Sequence, residues 1–207
     1  MIDLYTWNTD NGFKARQAAE ESGLEFRVRP VNIAKKEQFA PEFLKISPGH
    51  KIPALIDDKG PGGARITLCE SGAILKYLAE KADNGLYPAD PVRRIGVDQW
   101  LFYGSATFTT LAQQYGLFHQ RFPEDVPPAK THYASVLRDM FATFDRHLAD
   151  NAYFAGDYSV ADVSIYPDVH VHGELGVGLG DYPNLKRWHD AVAARPAVQR
   201  AWVPIEA

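Results

Sequence analysis

Two short motifs contain residue types from which a ligand site can be built, and the first is Ile52-Pro53. The apolar run at 54–56 that follows is typical of a short strand. A proline fits at the start of a strand because it has no amide hydrogen to donate. Proline also forms a cis peptide bond at small cost. A cis Ile52-Pro53 bond turns the amide and carbonyl of Ile52 outward, so this motif predicts an edge that pairs with an extended peptide.

The second motif is Glu70-Ser71, which lies where a predicted strand ends and a helix begins. The first turn of a helix presents free amide hydrogens and a partial positive charge, which suit a carboxylate. The Glu70 carboxylate can itself pair with an ammonium group. Taken alone, this pair is also an ordinary helix cap. Together with Ile52-Pro53, it predicts a site for a small peptide that carries a free carboxylate.

Hydrophobic periodicity and turn residues divide the first part of the chain into alternating strands and helices. The predicted elements are a strand at 2–7, a helix at 13–22, a strand at 26–31, a helical turn at 41–45, a hairpin of strands 54–56 and 65–68, and a helix at 71–82. The order is therefore βαβ, a short helix, and ββα. Such an order predicts an α/β domain.

The second part of the chain contains only helical patterns. They predict helices at 92–115 and 129–148, a helix after the capping signature Ser159-Val-Ala-Asp162, and a helix at 182–194 that ends at Arg195-Pro196. We therefore divide the chain into an α/β domain at 1–83, a linker at 84–90 and an all-α domain at 91–207.

The composition disfavours several classes of function. The chain has 207 residues, a net charge of −4 and no basic block, which argues against nucleic-acid binding. No apolar run approaches the length of a membrane span, and the start of the chain lacks the features of a secretion signal. The single cysteine, Cys69, rules out an internal disulfide and favours a reducing, cytoplasmic compartment. No paired set of Cys and His has the spacing of a metal site.

The layout resembles the cytosolic glutathione transferase superfamily over essentially the whole chain. The resemblance rests on Ile52-Pro53, Glu70-Ser71 and Ser159-Val-Ala-Asp162, in this order and spacing. It implies a thioredoxin-like domain at 1–83 that binds glutathione, an all-helical domain at 91–207, and a two-fold homodimer. The segments at 7–14 and 38–48 are most similar to the Nu class, which is related to the yeast nitrogen-regulating prion protein.

The resemblance also implies which groups activate the glutathione thiol. In the Nu class a Thr and an Asn after the first strand, here Thr9 and Asn11, face the glutathione sulfur. Hydrogen-bond donors at these positions lower the pKa of a thiol because they stabilise its anion. The residues by themselves fit equally well an Asx-rich turn that caps the first helix. Tyr5 is the alternative group for activating the thiol, because some transferase classes use a tyrosine hydroxyl near this position. Its predicted strand, however, favours a place in the core.

A further set of residues is implied to bind glutathione along its length. These residues are Gln38, Lys51, Ile52, Pro53, Glu70, Ser71 and His132. Glu70 and Ser71 hold the γ-glutamyl end, and Lys51 and Gln38 reach the glycine carboxylate, unless they are simply solvated. His132 stands near a position where relatives of the Nu class carry an arginine that reaches into the partner subunit's site, and a histidine lacks the charged fork of arginine.

Other candidates have simpler interpretations. Cys69 lies beside Glu70, but a free cysteine is usually a small buried residue and the implied chemistry does not need its thiol. His170 and His172 are more consistent with packed or solvated side chains than with a metal site, because their spacing does not share one helix face. The aromatic residues that can line either a second-substrate pocket or the core are Trp7, Phe108 and Tyr115.

The implied reaction is the glutathione-dependent reduction of a small disulfide. The glutathione thiolate attacks one sulfur of the disulfide, and a second glutathione resolves the mixed disulfide. One alternative is that the same thiolate acts as a transferase or peroxidase on small electrophiles or hydroperoxides. Another alternative is a non-catalytic regulatory protein that binds glutathione, which the lack of an Asn-rich extension before Met1 disfavours.

Overall fold

A four-stranded sheet organises the first part of the chain in the computed structural model, which describes residues 1–206. The strands are β1 (Ile2–Thr6), β2 (Phe26–Pro30), β3 (Ala54–Asp57) and β4 (Ile66–Cys69), in the spatial order β2-β1-β3-β4. β1 is parallel to β2, whereas β3 is antiparallel to both of its neighbours. This mixed sheet has the predicted thioredoxin-like arrangement, and the predicted hairpin of β3 and β4 is confirmed.

The register of the sheet brings the two sequence motifs together. Tyr5 of β1 lies opposite Ala54 of β3, and Ala54 lies opposite Cys69 of β4. Pro53 and Glu70 are the next residues beyond the pair of Ala54 and Cys69. They therefore leave the sheet side by side, at the same end where β1 runs out into its loop.

Three α-helices pack with this sheet, namely α1 (Asp10–Ser22), α2 (Pro41–Leu44) and α3 (Ser71–Ala82). Single 3₁₀ turns occur at Ile33–Lys35 and Glu37–Phe39. α1 begins earlier than the predicted residue 13 because Thr9 caps it, and it ends as predicted at Gly23, which has φ +66°. The core between the sheet and α3 consists of fully buried apolar side chains, among them Leu4, Leu55, Ile74, Leu75 and Leu78.

The second part of the chain is helical. Its helices are α4 (Pro91–Phe102), α5 (Thr109–Gly116), α6 (Pro127–Leu148), α7 (Val160–His170) and α8 (Pro183–Ala193). None of the helices within residues 1–206 is long and apolar enough to cross a membrane.

The predicted single helix at 92–115 is interrupted by wider, π-helical turns at Tyr103–Phe108. Gly104 lies in these turns against α7, where an added Cβ would stand 2.7 Å from Ser164 Oγ. The hydroxyl of Thr109 lies 2.8 Å from the Gly104 carbonyl oxygen and bridges the widened turn. A hydrophobic pattern does not report such a widening, because the helix axis and its buried face continue through it.

The predicted capping signature is confirmed at the start of α7. Ser159 Oγ accepts a hydrogen bond from the Ala161 amide at 3.3 Å, and the Asp162 carboxylate accepts one from the Ser159 amide at 3.0 Å. Trp188 of α8 donates its indole hydrogen to the same carboxylate at 2.8 Å. The capping box therefore also fixes a neighbouring helix.

The contacts divide the chain into two compact units. The first comprises Met1–Tyr87 together with residues 195–206, and the second comprises Pro88–Ala194. The sequence-based division instead placed all of 91–207 in one helical domain. The difference arises from α9 (Pro196–Ala201), a helix that the sequence did not predict. Arg195 pairs with Glu21 of α1 at 2.6 Å, and the Trp202 ring stacks on Phe13 of α1 at 4.0 Å.

Candidate functional site

The loop before β3 leaves a segment of backbone available to a ligand. The Ile52-Pro53 peptide bond is cis, as predicted. Ser47, which is 2 % exposed, closes the loop: its hydroxyl donates to the Lys51 carbonyl at 2.8 Å and accepts from the Lys51 amide at 3.3 Å. The amide and carbonyl of Ile52 form no hydrogen bond with any part of the chain that the structure describes. An extended peptide can therefore pair with Ile52 as an added strand.

Glu70 adopts a strained backbone conformation at the start of α3. Its φ is +73° and its ψ is 118°, which a residue with a side chain rarely adopts. Such a conformation costs about 1–3 kcal/mol, persists only where the surrounding structure imposes it, and is common at functional sites. The side chain is exposed and makes no capping hydrogen bond. The Glu70 carboxylate is therefore open to solvent beside Ser71, the first residue of α3.

Asn11 and Ser71 are in direct contact. The Ser71 hydroxyl donates to the Asn11 side-chain oxygen at 3.3 Å, across 60 residues of sequence. This bond engages the oxygen of the Asn11 amide and leaves the two hydrogens of its nitrogen as donors. The first turns of α3 and α1 are thus in direct contact.

Thr9 is the N-cap of α1. Its hydroxyl oxygen accepts a hydrogen bond from the Gly12 amide at 3.1 Å, so the capping interpretation of this residue is realised. An accepting hydroxyl keeps its own hydrogen, and Thr9 can still donate it to an anion. The 13-residue helix that starts here adds the positive end of its dipole. Capping and thiolate stabilisation are therefore compatible.

Tyr5 and Cys69 lie in the core rather than free at the site. Both pack, partly buried, against the cluster of Val31, Phe43 and Ala54. The Tyr5 ring centroid is 6.2 Å from that of Phe43. This placement agrees with the core interpretation of both side chains.

Gln38 and Lys51 lie before β3 and carry polar groups that a ligand can bind. Gln38 lies in the 3₁₀ turn Glu37–Phe39, and its side-chain oxygen is buried without a hydrogen-bond partner within residues 1–206. A buried acceptor without a donor is costly and suits a ligand N–H, whereas the nitrogen of the same amide can donate to a carboxylate. Lys51 is exposed and forms no ion pair with the described chain, so its ammonium is available to an anion.

Comparison with known proteins decides the family. The model of the glutathione S-transferase N-terminal domain matches residues 2–80, and the model of the C-terminal domain matches residues 128–196. A curated relative is 37% identical over 204 residues, which are 97% of this chain and 94% of the relative. The chain belongs to the glutathione S-transferase family. The resemblance stated from the sequence is thereby confirmed, and so is the fold class.

The names of the relatives describe an activity or a bound ligand. The curated relative just described is the disulfide-bond oxidoreductase YfcG of Escherichia coli K12. A glutathione transferase from Pseudomonas putida, solved with one glutathione disulfide per subunit, is 32% identical with a TM-score of 0.91 and covers 98% of this chain and 90% of its own. A glutathione transferase from Burkholderia graminis, solved with two glutathione molecules per subunit, is 33% identical with a TM-score of 0.91 and covers 100% of this chain and 89% of its own.

Further candidate residues named from the sequence lie in the second unit. His132 is exposed near the start of α6, and its ring centroid lies 5.2 Å from that of Tyr133. Phe108 is fully buried against Phe141 and Phe144, so it belongs to the core. His170 Nδ1 lies 3.0 Å from His189 Nε2 in a packed cluster with Tyr166. No group of three or more metal-ligating side chains occurs within residues 1–206.

Two residues that support the site were missed in the sequence. A Cβ at Gly12 would stand 2.0 Å from the Trp7 carbonyl oxygen, so the loop after β1 closes on α1 only with glycine there. Asn8 bonds to the backbone of Ile205 through both ends of its amide. Local turn chemistry gave no signal for either role, because one depends on close approach and the other on a contact across 197 residues.

Proposed function

We propose that this transferase reduces small disulfides with glutathione, through a glutathione thiolate that Thr9 and Asn11 stabilise. The observation that carries the proposal is the contact of Asn11 with Ser71 at 3.3 Å, because it joins the proposed thiolate donor to the proposed carboxylate anchor. The name of YfcG as a disulfide-bond oxidoreductase supports the reaction. The glutathione disulfide in the Pseudomonas putida enzyme supports the ligand.

Glutathione fits the polar groups of the first unit from end to end. Its γ-glutamyl ammonium pairs with the Glu70 carboxylate, and its γ-glutamyl carboxylate accepts hydrogen bonds from Ser71 and the first amides of α3. Its cysteine backbone pairs with Ile52, which precedes Pro53. The amide and carbonyl of Ile52 have no hydrogen-bond partner in the described chain.

The glycine end of glutathione meets the two polar side chains that flank this loop. Lys51 pairs with the glycine carboxylate as a point charge. Gln38 contributes its amide, whose oxygen is buried without a partner within residues 1–206 and accepts the ligand N–H. This anchoring at both ends is what brings the cysteine sulfur to Thr9 and Asn11.

The mechanism follows from the position of the sulfur. The Thr9 hydroxyl, the Asn11 amide and the start of α1 stabilise the thiolate, and the thiol proton leaves to solvent. The thiolate attacks one sulfur of the disulfide, so a new S–S bond forms and the other sulfur departs as a thiolate. A second glutathione thiolate then attacks the mixed disulfide. The products are glutathione disulfide and two reduced thiols, and the protein contributes positioning and charge stabilisation without a covalent intermediate.

Transfer of glutathione to an electrophilic carbon is the second candidate. The description of both matched domain models as glutathione S-transferase favours it. Purified protein should be assayed with hydroxyethyl disulfide and with a chloro-nitro-aromatic substrate at equal glutathione concentration. Faster disulfide reduction supports our proposal, and faster conjugation supports transfer. Glutathione binding with neither activity supports the non-catalytic regulatory alternative.

We also propose that the chain is a cytoplasmic homodimer of the Nu class. Its partner is a second copy, which would cover the exposed apolar side chains of α4: Val92 is 74% exposed, Ile95 69% and Phe102 63%. In this dimer His132 reaches the partner's site, where it binds a second glutathione more weakly than an arginine would. A free Cys69 and a need for reduced glutathione support the cytoplasmic location. Light scattering on Ile95→Glu tests the dimer, which this charge should dissociate.

A further inference from the structure

The last residues of the described chain contact the loop after β1, which ends at the N-cap Thr9 and leads into Asn11 in the first turn of α1. We infer that the segment 203–205, named here the C-terminal strap, positions this loop for thiol activation by holding Asn8. Asn8 is a positioning residue in this inference, because both ends of its amide are bound to the strap. The inference rests on the proposed function for its chemical consequence, while the strap itself is a feature of the first unit alone.

The strap is delivered to the loop by α9. The Arg200 guanidinium pairs with Glu20 of α1 at 2.7 Å, and the Trp202 ring stacks on Phe13 with an angle of 13° between their planes. The ion pair fixes α9 near the last turn of α1, and the stacking of Trp202 on Phe13 places the end of α9 at the first turn of α1. The chain then leaves the helix directly beside the loop after β1.

The strap bonds to Asn8 as a peptide bonds to a neighbouring strand. The Asn8 nitrogen donates to the Ile205 carbonyl at 3.0 Å, and the Asn8 oxygen accepts from the Ile205 amide at 2.9 Å. Arg16, which is 7 % exposed, donates to the Val203 carbonyl and also to the Asn8 oxygen, the latter at 3.4 Å. The buried guanidinium therefore ties the strap and Asn8 to the same side of α1.

The position of Asn8 determines that of Thr9, because the two are consecutive and Thr9 is held by hydrogen bonds on both sides. The Thr9 amide donates to the Trp7 carbonyl at 2.9 Å, and the Thr9 hydroxyl accepts from the Gly12 amide at 3.1 Å. Gly12 leaves no room for even one added carbon. Loss of the strap therefore displaces the Thr9 hydroxyl and the start of α1 relative to the sulfur of a bound glutathione. A small displacement of this kind weakens thiolate stabilisation more than it weakens binding.

Two variants remove the bonds from opposite sides. Asn8→Ala deletes the side-chain amide, and Ile205→Pro deletes the donor on the strap. Asn84→Ala is the matched control, because Asn84 also uses both ends of its amide, donating to the Glu21 carbonyl at 2.8 Å and accepting from the Leu86 amide at 3.3 Å. Each full-length protein is measured by hydrogen–deuterium exchange of residues 9–13 and by the ultraviolet absorbance of bound glutathione thiolate against pH.

The inference predicts the same change in both strap variants. Exchange at residues 9–13 rises about tenfold, and the pKa of the bound thiol rises by about one unit, which is a tenfold loss of thiolate below that pKa. Asn84→Ala changes neither quantity. Unchanged exchange in both strap variants, or raised exchange with an unchanged thiol pKa, overturns the inference. A wild-type protein that binds glutathione without a lowered thiol pKa overturns the proposed function instead, and the exchange data still decide whether the strap holds the loop.

Discussion

The Ser71 hydroxyl donates a hydrogen bond to the Asn11 side-chain oxygen at 3.3 Å, which joins the start of α3 to the first turn of α1. Ser71 lies beside the strained Glu70, and Asn11 lies beside the N-cap Thr9. The bond turns the Asn11 nitrogen away from Ser71. In our proposal, the anchor for the γ-glutamyl carboxylate thereby also orients the donor for the thiolate.

The first prediction is energetic coupling between these two side chains. Ser71→Ala should raise the KM for glutathione and also lower kcat, because Asn11 loses the bond that orients it. In the double variant with Asn11→Ala, the effects on kcat/KM should fall short of additivity by about 0.5–2 kcal/mol. Thr67→Ala, on the exposed face of β4, is the control and should add independently to Asn11→Ala. Additive effects of Asn11→Ala and Ser71→Ala would show that their contact has no role in turnover.

The second prediction concerns backbone strain at Glu70. Glu70→Gly should raise the free energy of unfolding by about 1 kcal/mol, because glycine adopts a positive φ without steric cost. The same change should weaken glutathione binding at least about tenfold, because the ammonium loses its carboxylate. Denaturant unfolding and calorimetric titration measure the two effects.

The control for this prediction lies at the other end of the same helix. Asp83 also has a positive φ, +48°, as the C-cap of α3. Asp83→Gly should increase stability slightly and leave glutathione affinity unchanged. Equal affinity of Glu70→Gly and wild type would remove Glu70 from the site.

The third prediction concerns close packing at Gly12. An added Cβ would stand 2.0 Å from the Trp7 carbonyl oxygen, so Gly12→Ala must displace the loop. We expect a loss of about 1–3 kcal/mol in the free energy of unfolding and a lower kcat, because Thr9 moves with the loop. Gly173→Ala is the control, since no atom lies within 4 Å of its added carbon. Wild-type stability and turnover in Gly12→Ala would contradict the tight loop.

The fourth prediction is a pH dependence that originates in the second unit. Burial raises the pKa of the Asp162 carboxyl to about 6, although Trp188 and backbone amides donate to it. In the unfolded chain the pKa is about 4. The folded state therefore holds this proton more tightly, and the resulting stabilisation is complete below pH 4 and lost as the pH rises through 6.

Asp162→Asn removes the titrating carboxyl, so comparing the variant with wild type measures its contribution to stability. Urea unfolding of wild type and variant between pH 4 and pH 7 should show the stability of the wild type falling relative to the variant by up to about 3 kcal/mol. Asp150→Asn, at an exposed aspartate, is the control and should follow the wild type at every pH. A constant difference between Asp162→Asn and wild type across this range would refute the raised pKa.

Features that depend on neighbouring residues were predictable from the sequence. The hairpin of β3 and β4 follows from two apolar segments that flank a turn rich in Asp and Gly, and the capping box at Ser159 follows from the types of two residues three positions apart. The end of α1 at Gly23 is another such case. These signals are local, so short stretches of the sequence are enough to predict them.

Features that depend on distant contacts were not predictable. The bond of Asn8 to Ile205 spans 197 residues, and the placement of α9 depends on the stacking of Trp202 on Phe13. The proposed roles of Thr9 and Asn11 rest on the resemblance, because their residue types alone fit a plain helix cap. The structure adds the contact of Asn11 with Ser71, which depends on the pairing of β3 with both neighbours and on the packing of α1 with α3.

The central claim is best tested by hydroxyethyl-disulfide reduction, coupled to glutathione reductase, in wild type and Asn11→Ala. Thiolate stabilisation predicts robust wild-type turnover and a kcat that falls about tenfold or more in the variant, with a small change in glutathione affinity. An equal loss of kcat and affinity, or no loss, would contradict the role of Asn11. A wild-type protein that binds glutathione but does not reduce the disulfide would contradict the proposed reaction.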